Sequence, residues 1–307
     1  MNPFRAVFIL AAAWSAAFSG AHGAELPAGK SPDSPAPVIV FMTDFGTLDD
    51  AVAICKGVML SIAPAARIVD LTHRVRPYSI ADGARFLART SLYYPANTIF
   101  VGVVDPGVGT QRRTIIAKTK RGQYFVVPDN GLLTPIEDRD GIEEVREITN
   151  AAWMLPGPHS ATFHGRDVFS PAAAHLARGD DWTKVGPALP RLTRLTIRAP
   201  VLDTSGITGH VIGLDGPYGN LITDIKPEQL HALGYTTGDT VTIKVSGQEL
   251  SLPFVTTFGD VPEGKPLLYV DSSGLVSVAI NMGNFSQAHE VTPPAEFFIA
   301  RRASMLK

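Results

Sequence analysis

The sequence predicts an α/β chain in two parts, a three-layer α/β domain followed by a small all-β barrel or sandwich. Between about residues 37 and 186, strand-like and helix-like stretches alternate, the grammar of βαβ units. From residue 206 onward, short β-branched runs are separated by Gly, Pro, Asp and Ser. The segment 187–205, bracketed by Pro187 and Pro200, reads as the connector between them.

Each element has its own signal. Val38 to Met42 is an unbroken apolar run, as expected of a parallel strand buried on both faces. Asp49 to Ile62 has helical spacing, with Val52, Cys55, Val58 and Met59 along one side. This spacing puts Asp49 and Asp50 in the first turn, where negative charge suits the helix dipole. Ile68 to Leu71 reads as a second strand, Ile80 to Leu92 as a second helix, and Thr98 to Val104 as a third strand. Thr114 to Lys118 and Tyr124 to Val127 form a strand pair, and Asp167 to Ala177 a closing helix. In the second part the runs are His210–Leu214, Thr240–Val245, Leu267–Val270, Leu275–Ile280 and Phe297–Ala300.

Residues 1–23 read as a cleavable export leader rather than a fold element. Arg5 supplies a positive start, Ala6 to Phe18 an apolar stretch, and Ala21-His22-Gly23 a small-x-small cleavage site. The stretch is shorter than the roughly 20 apolar residues that span a bilayer, so no membrane anchor is expected after cleavage. Residues 24–36 follow as a flexible lead-in, and the expected location is exported and periplasmic. Arg5 is the only charged leader residue, so cleavage moves the net charge from −2 to −3. That balance argues against a nucleic-acid binder, which carries a basic excess. The single cysteine, Cys55, excludes an intrachain disulfide and reads as a small core residue.

Four constellations carry candidate chemistry. Asp44, in Thr43-Asp44-Phe45-Gly46-Thr47-Leu48-Asp49-Asp50, falls at the carboxyl end of the first strand, placed to accept hydrogen bonds from a ribose diol. A helix N-cap cluster accounts for Thr47, Asp49 and Asp50 but less well for Asp44. Asp105, in Asp105-Pro106-Gly107-Val108-Gly109-Thr110-Gln111-Arg112-Arg113, ends the third strand, where open α/β sheets place their ligand crevice. Arg112 lies seven residues on; the pair suits a carboxylate kept ionised by a guanidinium, and the stretch is equally compatible with a surface turn. Thr162-Phe163-His164-Gly165-Arg166-Asp167 leads into a helix and offers His164 beside a glycine that permits close approach, whereas a lone histidine is often merely a packed residue. His73 is an alternative histidine with weaker surroundings. Asp215-Gly216-Pro217-Tyr218-Gly219-Asn220 offers an acid and an amide five apart, in a sequence that also makes an ordinary β-turn.

With these motifs placed, the chain resembles the S-adenosylmethionine hydroxide adenosyltransferase family, also called SAM hydrolases, relatives of the bacterial fluorinase and chlorinase. The resemblance runs from Thr43-Asp44-Phe45-Gly46 to Ala279-Ile280-Asn281-Met282-Gly283. It rests on motifs recurring in order: Asp105 to Arg113, Pro128-Asp129-Asn130-Gly131, Phe163-His164-Gly165-Arg166-Asp167 and Tyr218-Gly219-Asn220. It implies a catalytic trio of Asp105, Arg112 and His164, with ribose on Asp44 and the methionine and adenine groups on Asp215, Asn220 and Ser272. Tyr78 stands where the halogenating relatives place an aromatic near the reacting carbon. Those relatives lack the Asp-Arg-His set, so its presence implies water rather than halide as nucleophile, with no metal or other cofactor.

The resemblance also implies a Rossmann-like N-terminal domain, a C-terminal β-barrel, and a homotrimer with sites between subunits. Two other readings are an exported non-catalytic binder of adenosine or S-adenosylmethionine, and a calcium-dependent nucleoside hydrolase suggested by Asp44, Asp49 and Asp50. Against the latter, Met42 stands where that family's first ligand Asp belongs, and a missing carboxylate is costly to a cation that takes about six to eight oxygens.

Overall fold

In the computed structural model, which describes residues 36–302, the chain from Ala36 onward is a single compact unit built on two sheets. The leader and all but Ala36 of the lead-in lie outside the described residues. The first sheet holds β1 (Val38–Thr43), β2 (Arg67–Thr72), β3 (Ile99–Val103), β4 (Thr114–Thr119), β5 (Tyr124–Pro128) and β6 (Ile142–Glu147), in the order β2-β1-β3-β5-β4-β6. Strand β1 pairs in parallel with β2 and β3, and β3 with β5; β4 runs antiparallel to both neighbours.

Alternation along the strands explains the three layers. Ile39 and Phe41 point to one face, where α1 (Ala51–Ile62) and α4 (Ser170–Arg178) contribute Cys55, Met59 and Ala172 to Ala174. Val40 and Met42 point to the other, against Ala84 and Leu87 of α2 (Ile80–Ser91) and Ile136 of α3 (Thr134–Asp140). Cys55 is fully buried, and burial pushes its thiol pKa up to about 11.

Three local differences from the sequence reading have physical causes. Helix α1 starts at Ala51 because the Asp49 carboxylate accepts the Ala51 N–H at 3.1 Å, so both aspartates precede the helix rather than lie in its first turn. The closing helix does not begin at Asp167: Gly165–Phe169 form a π-helical turn, and α4 follows from Ser170. Strand β6 escapes pattern reading because it is an edge strand, with only Val145 of its six residues buried.

The second sheet is antiparallel. Its strands are β7 (Val201–Leu202), β8 (Gly206–Asp215), β9 (Asn220–Thr223), β10 (Thr240–Val245), β11 (Gln248–Pro253), β12 (Pro266–Val270), β13 (Val276–Ile280) and β14 (Ala295–Ala300). The order is β11-β10-β14-β8-β9-β13-β12, with β7 added on β8. The end strands approach each other through a bridge between Phe254 and Leu268, where the Val255 N–H donates to the Leu268 carbonyl at 2.9 Å. The result is a nearly closed barrel around Val211, Ile243, Leu268, Val278 and Phe297. Among the described residues no helix is long and apolar enough to cross a membrane.

Phe297 is fully buried on β14, between β8 and β10. Phe297→Ala is expected to lower the unfolding free energy by about 3–5 kcal/mol through lost burial and the cavity left behind. Urea denaturation followed by circular dichroism checks it.

Candidate active site

Strand order places the site. From β1 the chain crosses to β2 on one side and then returns to β3 on the other, so the order reverses between β1 and β3. Such a switch point opens a crevice beyond the carboxyl ends of the strands. Thr43 pairs with Val103 in register, so the two strands end level and deliver Asp44 and Asp105 to the same crevice. A cavity of about 340 Å³ lies there, lined by Asp44, Tyr78, Asp105 and His164, with Phe45 and Phe163 among its apolar walls.

Arg112 sits behind this lining and ties two of its members together. Its Nε donates to one Asp105 oxygen at 2.9 Å and its Nη2 to the other, a bidentate pair in which neither side chain is more than 8% exposed. The same Nη2 lies 3.1 Å from His164 Nδ1. A guanidinium can only donate, so Nδ1 accepts and neutral His164 carries its proton on Nε2. Burial first, then the Arg112 charge, holds the His164 pKa below its ordinary value of 6.5. For Asp105 the guanidinium alone predicts a lowered pKa; the net direction is upward, because burial outweighs the Arg112 charge and its hydrogen bonds.

The loops that carry these groups touch closely. Gly109 has φ +75°, and a Cβ there would stand 2.2 Å from the Ala161 carbonyl oxygen, so only glycine lets the Asp105–Arg112 loop lie against the His164 loop. His164 immediately precedes the π-helical turn, whose Gly165 carbonyl accepts the Ser170 N–H and, at 2.7 Å, the Ser170 hydroxyl. Asp44 accepts the Tyr78 N–H on Oδ2 at 2.9 Å, leaving Oδ1 open, while the Tyr78 ring is exposed at φ +65°. His73 is not part of this cavity. It is buried, with Nδ1 2.9 Å from the Thr43 hydroxyl and Nε2 3.1 Å from Asp70, and it fastens β2 beside Asp44.

The remaining candidates lie elsewhere on the chain. Asp215 and Asn220 line a separate cavity of about 600 Å³ with Tyr218, Phe258 and Met282. Asn220 is buried, as is Tyr269, whose hydroxyl pKa burial and the Asp215 charge push up to about 12. Ser272 is exposed and accepts a 3.4 Å hydrogen bond from Arg89. Phe45, Phe163 and Met282 were within reach of sequence reading, since each lies in or beside a motif; Phe258 gave no such signal. Among the described residues no group of three or more His, Cys, Asp or Glu side chains is placed to hold a metal ion. Asp49 is engaged at the start of α1, apart from Asp44 in its bond to Tyr78.

Comparison with known proteins bears on this arrangement. Residues 39–186 match the family model for the SAM hydroxide adenosyltransferase N-terminal domain, and residues 209–297 that for the C-terminal domain. The (R)-S-adenosyl-L-methionine hydrolase of Salinispora arenicola is 41% identical over 84% of this chain and 95% of its own length. A fluorinase of an Actinoplanes species is 32% identical over 80% of this chain and 91% of its own. The crystal structure of an uncharacterized conserved protein from Thermotoga maritima superposes with a TM-score of 0.80 at 39% identity, covering 86% of this chain and all of that one.

Two outcomes are expected from NMR titration of the imidazole, assigned by comparison with His164→Gln. The His164 midpoint lies below 6.5 with the neutral-form proton on Nε2. In Gly109→Ala, where the loops are forced apart and Arg112 withdraws, the midpoint rises.

Proposed function

The chain belongs to the SAM hydroxide adenosyltransferase family, and from that premise we infer that it is a hydrolase converting S-adenosylmethionine and water to adenosine and methionine. The observation that carries this reading is the shared cavity of Asp44, Asp105 and His164, with Arg112 bonded to both Asp105 and His164.

The chemistry suits these groups. Water attacks C5′ of the adenosyl group; the new C–O bond forms as the C5′–S bond breaks, and its electron pair returns to sulfur, releasing methionine as a neutral thioether. The leaving group takes no proton, so the site needs in-line geometry and a proton acceptor for the attacking water. Each Asp105 oxygen keeps a lone pair after accepting from Arg112, and burial makes this carboxylate a stronger base than an exposed one. With Nδ1 engaged, His164 presents Nε2–H to the same water and orients it. Asp44 Oδ1 is open to a ribose hydroxyl. The sulfonium and the incoming oxygen attract more strongly in a water-poor pocket. No step calls for a metal.

The reading extends to the other candidates. One chain's 340 Å³ cavity is at the small end of the roughly 300–1,000 Å³ of ligand sites, and Asp215, Asn220 and Ser272 lie outside it. A homotrimer, in which one subunit's Rossmann-like part meets the next subunit's barrel, brings these groups to the adenine and methionine ends of the substrate. The pattern of residues 1–23 supports an exported, periplasmic enzyme.

Purified protein incubated with each sulfonium epimer is expected to yield adenosine and methionine, with 18O from labelled water in the adenosine 5′-hydroxyl. A strong chelator leaves turnover intact; its loss would favour the calcium-dependent reading. Asp105→Asn and His164→Ala lower kcat by about 100- to 10,000-fold while adenosine binding persists. The rate falls on the acid side, as His164 gains its second proton below 6.5. Wild-type turnover in either variant would remove the assigned roles.

A further inference from the structure

We propose that Asn130 and Asp129 are positioning residues for this reaction, clamping the two ends of the loop that carries Asp105 and Arg112. The proposal rests on the hydrolase reading and concerns a motif, Pro128-Asp129-Asn130-Gly131, that lines neither cavity described above.

The two residues follow β5, the parallel neighbour of β3. At the first end of the loop, Asn130 Nδ2 donates to the carbonyl of Val104 at 2.9 Å, fixing the peptide unit from which Asp105 departs. Its Oδ1 accepts the Leu132 N–H at 3.3 Å, so the amide is held from its far side. At the second end, the nearly buried Asp129 carboxylate accepts from Arg113 Nε at 2.9 Å and again from Arg113 Nη2, while the Asp129 N–H donates to the Arg113 carbonyl at 2.9 Å. Arg113 directly follows Arg112. Two consecutive residues therefore fasten the chain just before Asp105 and just after Arg112.

A purely architectural role fits only part of this. Asp129 also accepts the Thr193 N–H at 2.7 Å and the Thr193 hydroxyl at 3.1 Å, which docks the 187–205 segment. Asn130 shares none of those bonds; its side chain joins Val104, the residue just past β3, to Leu132. Misplacement of a reacting group by about 1 Å can cost about 100-fold in rate, so this clamp acts on turnover rather than on substrate affinity.

Asn130→Asp keeps the volume and the acceptor for Leu132 but turns a carboxylate towards the Val104 carbonyl. It is expected to lower kcat by about 10- to 100-fold and change KM by less than about threefold, with hydrogen exchange faster across residues 104–113. Arg113→Ala gives the same signature through the other contact, and Arg113→Lys recovers part of the lost kcat by keeping a charge on Asp129; this pair decides the matter if Asn130→Asp does not fold. Wild-type kcat in both folded variants, or a loss confined to KM, overturns the proposal. If wild-type protein itself forms no adenosine, the failure is that of the hydrolase reading. Exchange across 104–113 then decides the clamp alone, and unchanged exchange in both variants overturns it.

Discussion

The ion pair between Asp105 and Arg112 is the constraint on which the site depends. Both side chains are nearly withdrawn from solvent, so each charge relies on the other. The requirement shapes the intervening chain. A guanidinium seven residues downstream can face back on its carboxylate only if the loop turns sharply, and Gly109 permits that turn against the Ala161 backbone. The same guanidinium then fixes the tautomer of His164, which arrives from a segment more than fifty residues away. A carboxylate and an imidazole from distant segments are thus tied together through one guanidinium.

The first sheet supplies the rest of the geometry. Parallel strands ending level at a switch point bring two acids to one crevice without any long-range loop engineering, and rigid strand ends suit groups that must be held closely. The barrel contributes a different chemistry: an exposed acid, a buried amide, and apolar side chains that line a separate hollow.

Much of this was legible in the sequence. The βαβ alternation predicted the first sheet because both faces of β1 and β3 are buried and their runs are unbroken. Asp44, Asp105 and His164 were legible because they sit at strand ends and loop-to-helix junctions marked by glycine. What escaped was set by tertiary context. Strand β6 is polar because it is an edge; β9 is only four residues long; and in the π-helical turn after His164 the Gly165 carbonyl accepts from both the backbone N–H and the hydroxyl of Ser170. The direction of the Asp105 shift was misjudged because the charge of Arg112 is visible in a sequence, whereas depth of burial is not. Likewise Phe258 acquires meaning only once folding gathers it beside Asn220.

The placement of Cys55 has a consequence for where such a molecule can live. Its sulfur is sealed between α1 and the turn that follows His164, and its thiol resists ionisation at neutral pH. Oxidants and disulfide-exchange catalysts act on thiolates they can reach, and this chain offers none while folded. The fold therefore gains no intrachain disulfide from an oxidising medium and has no accessible thiol to lose to one, which leaves the exposed thioether of Met282 as a sulfur that oxidants can reach.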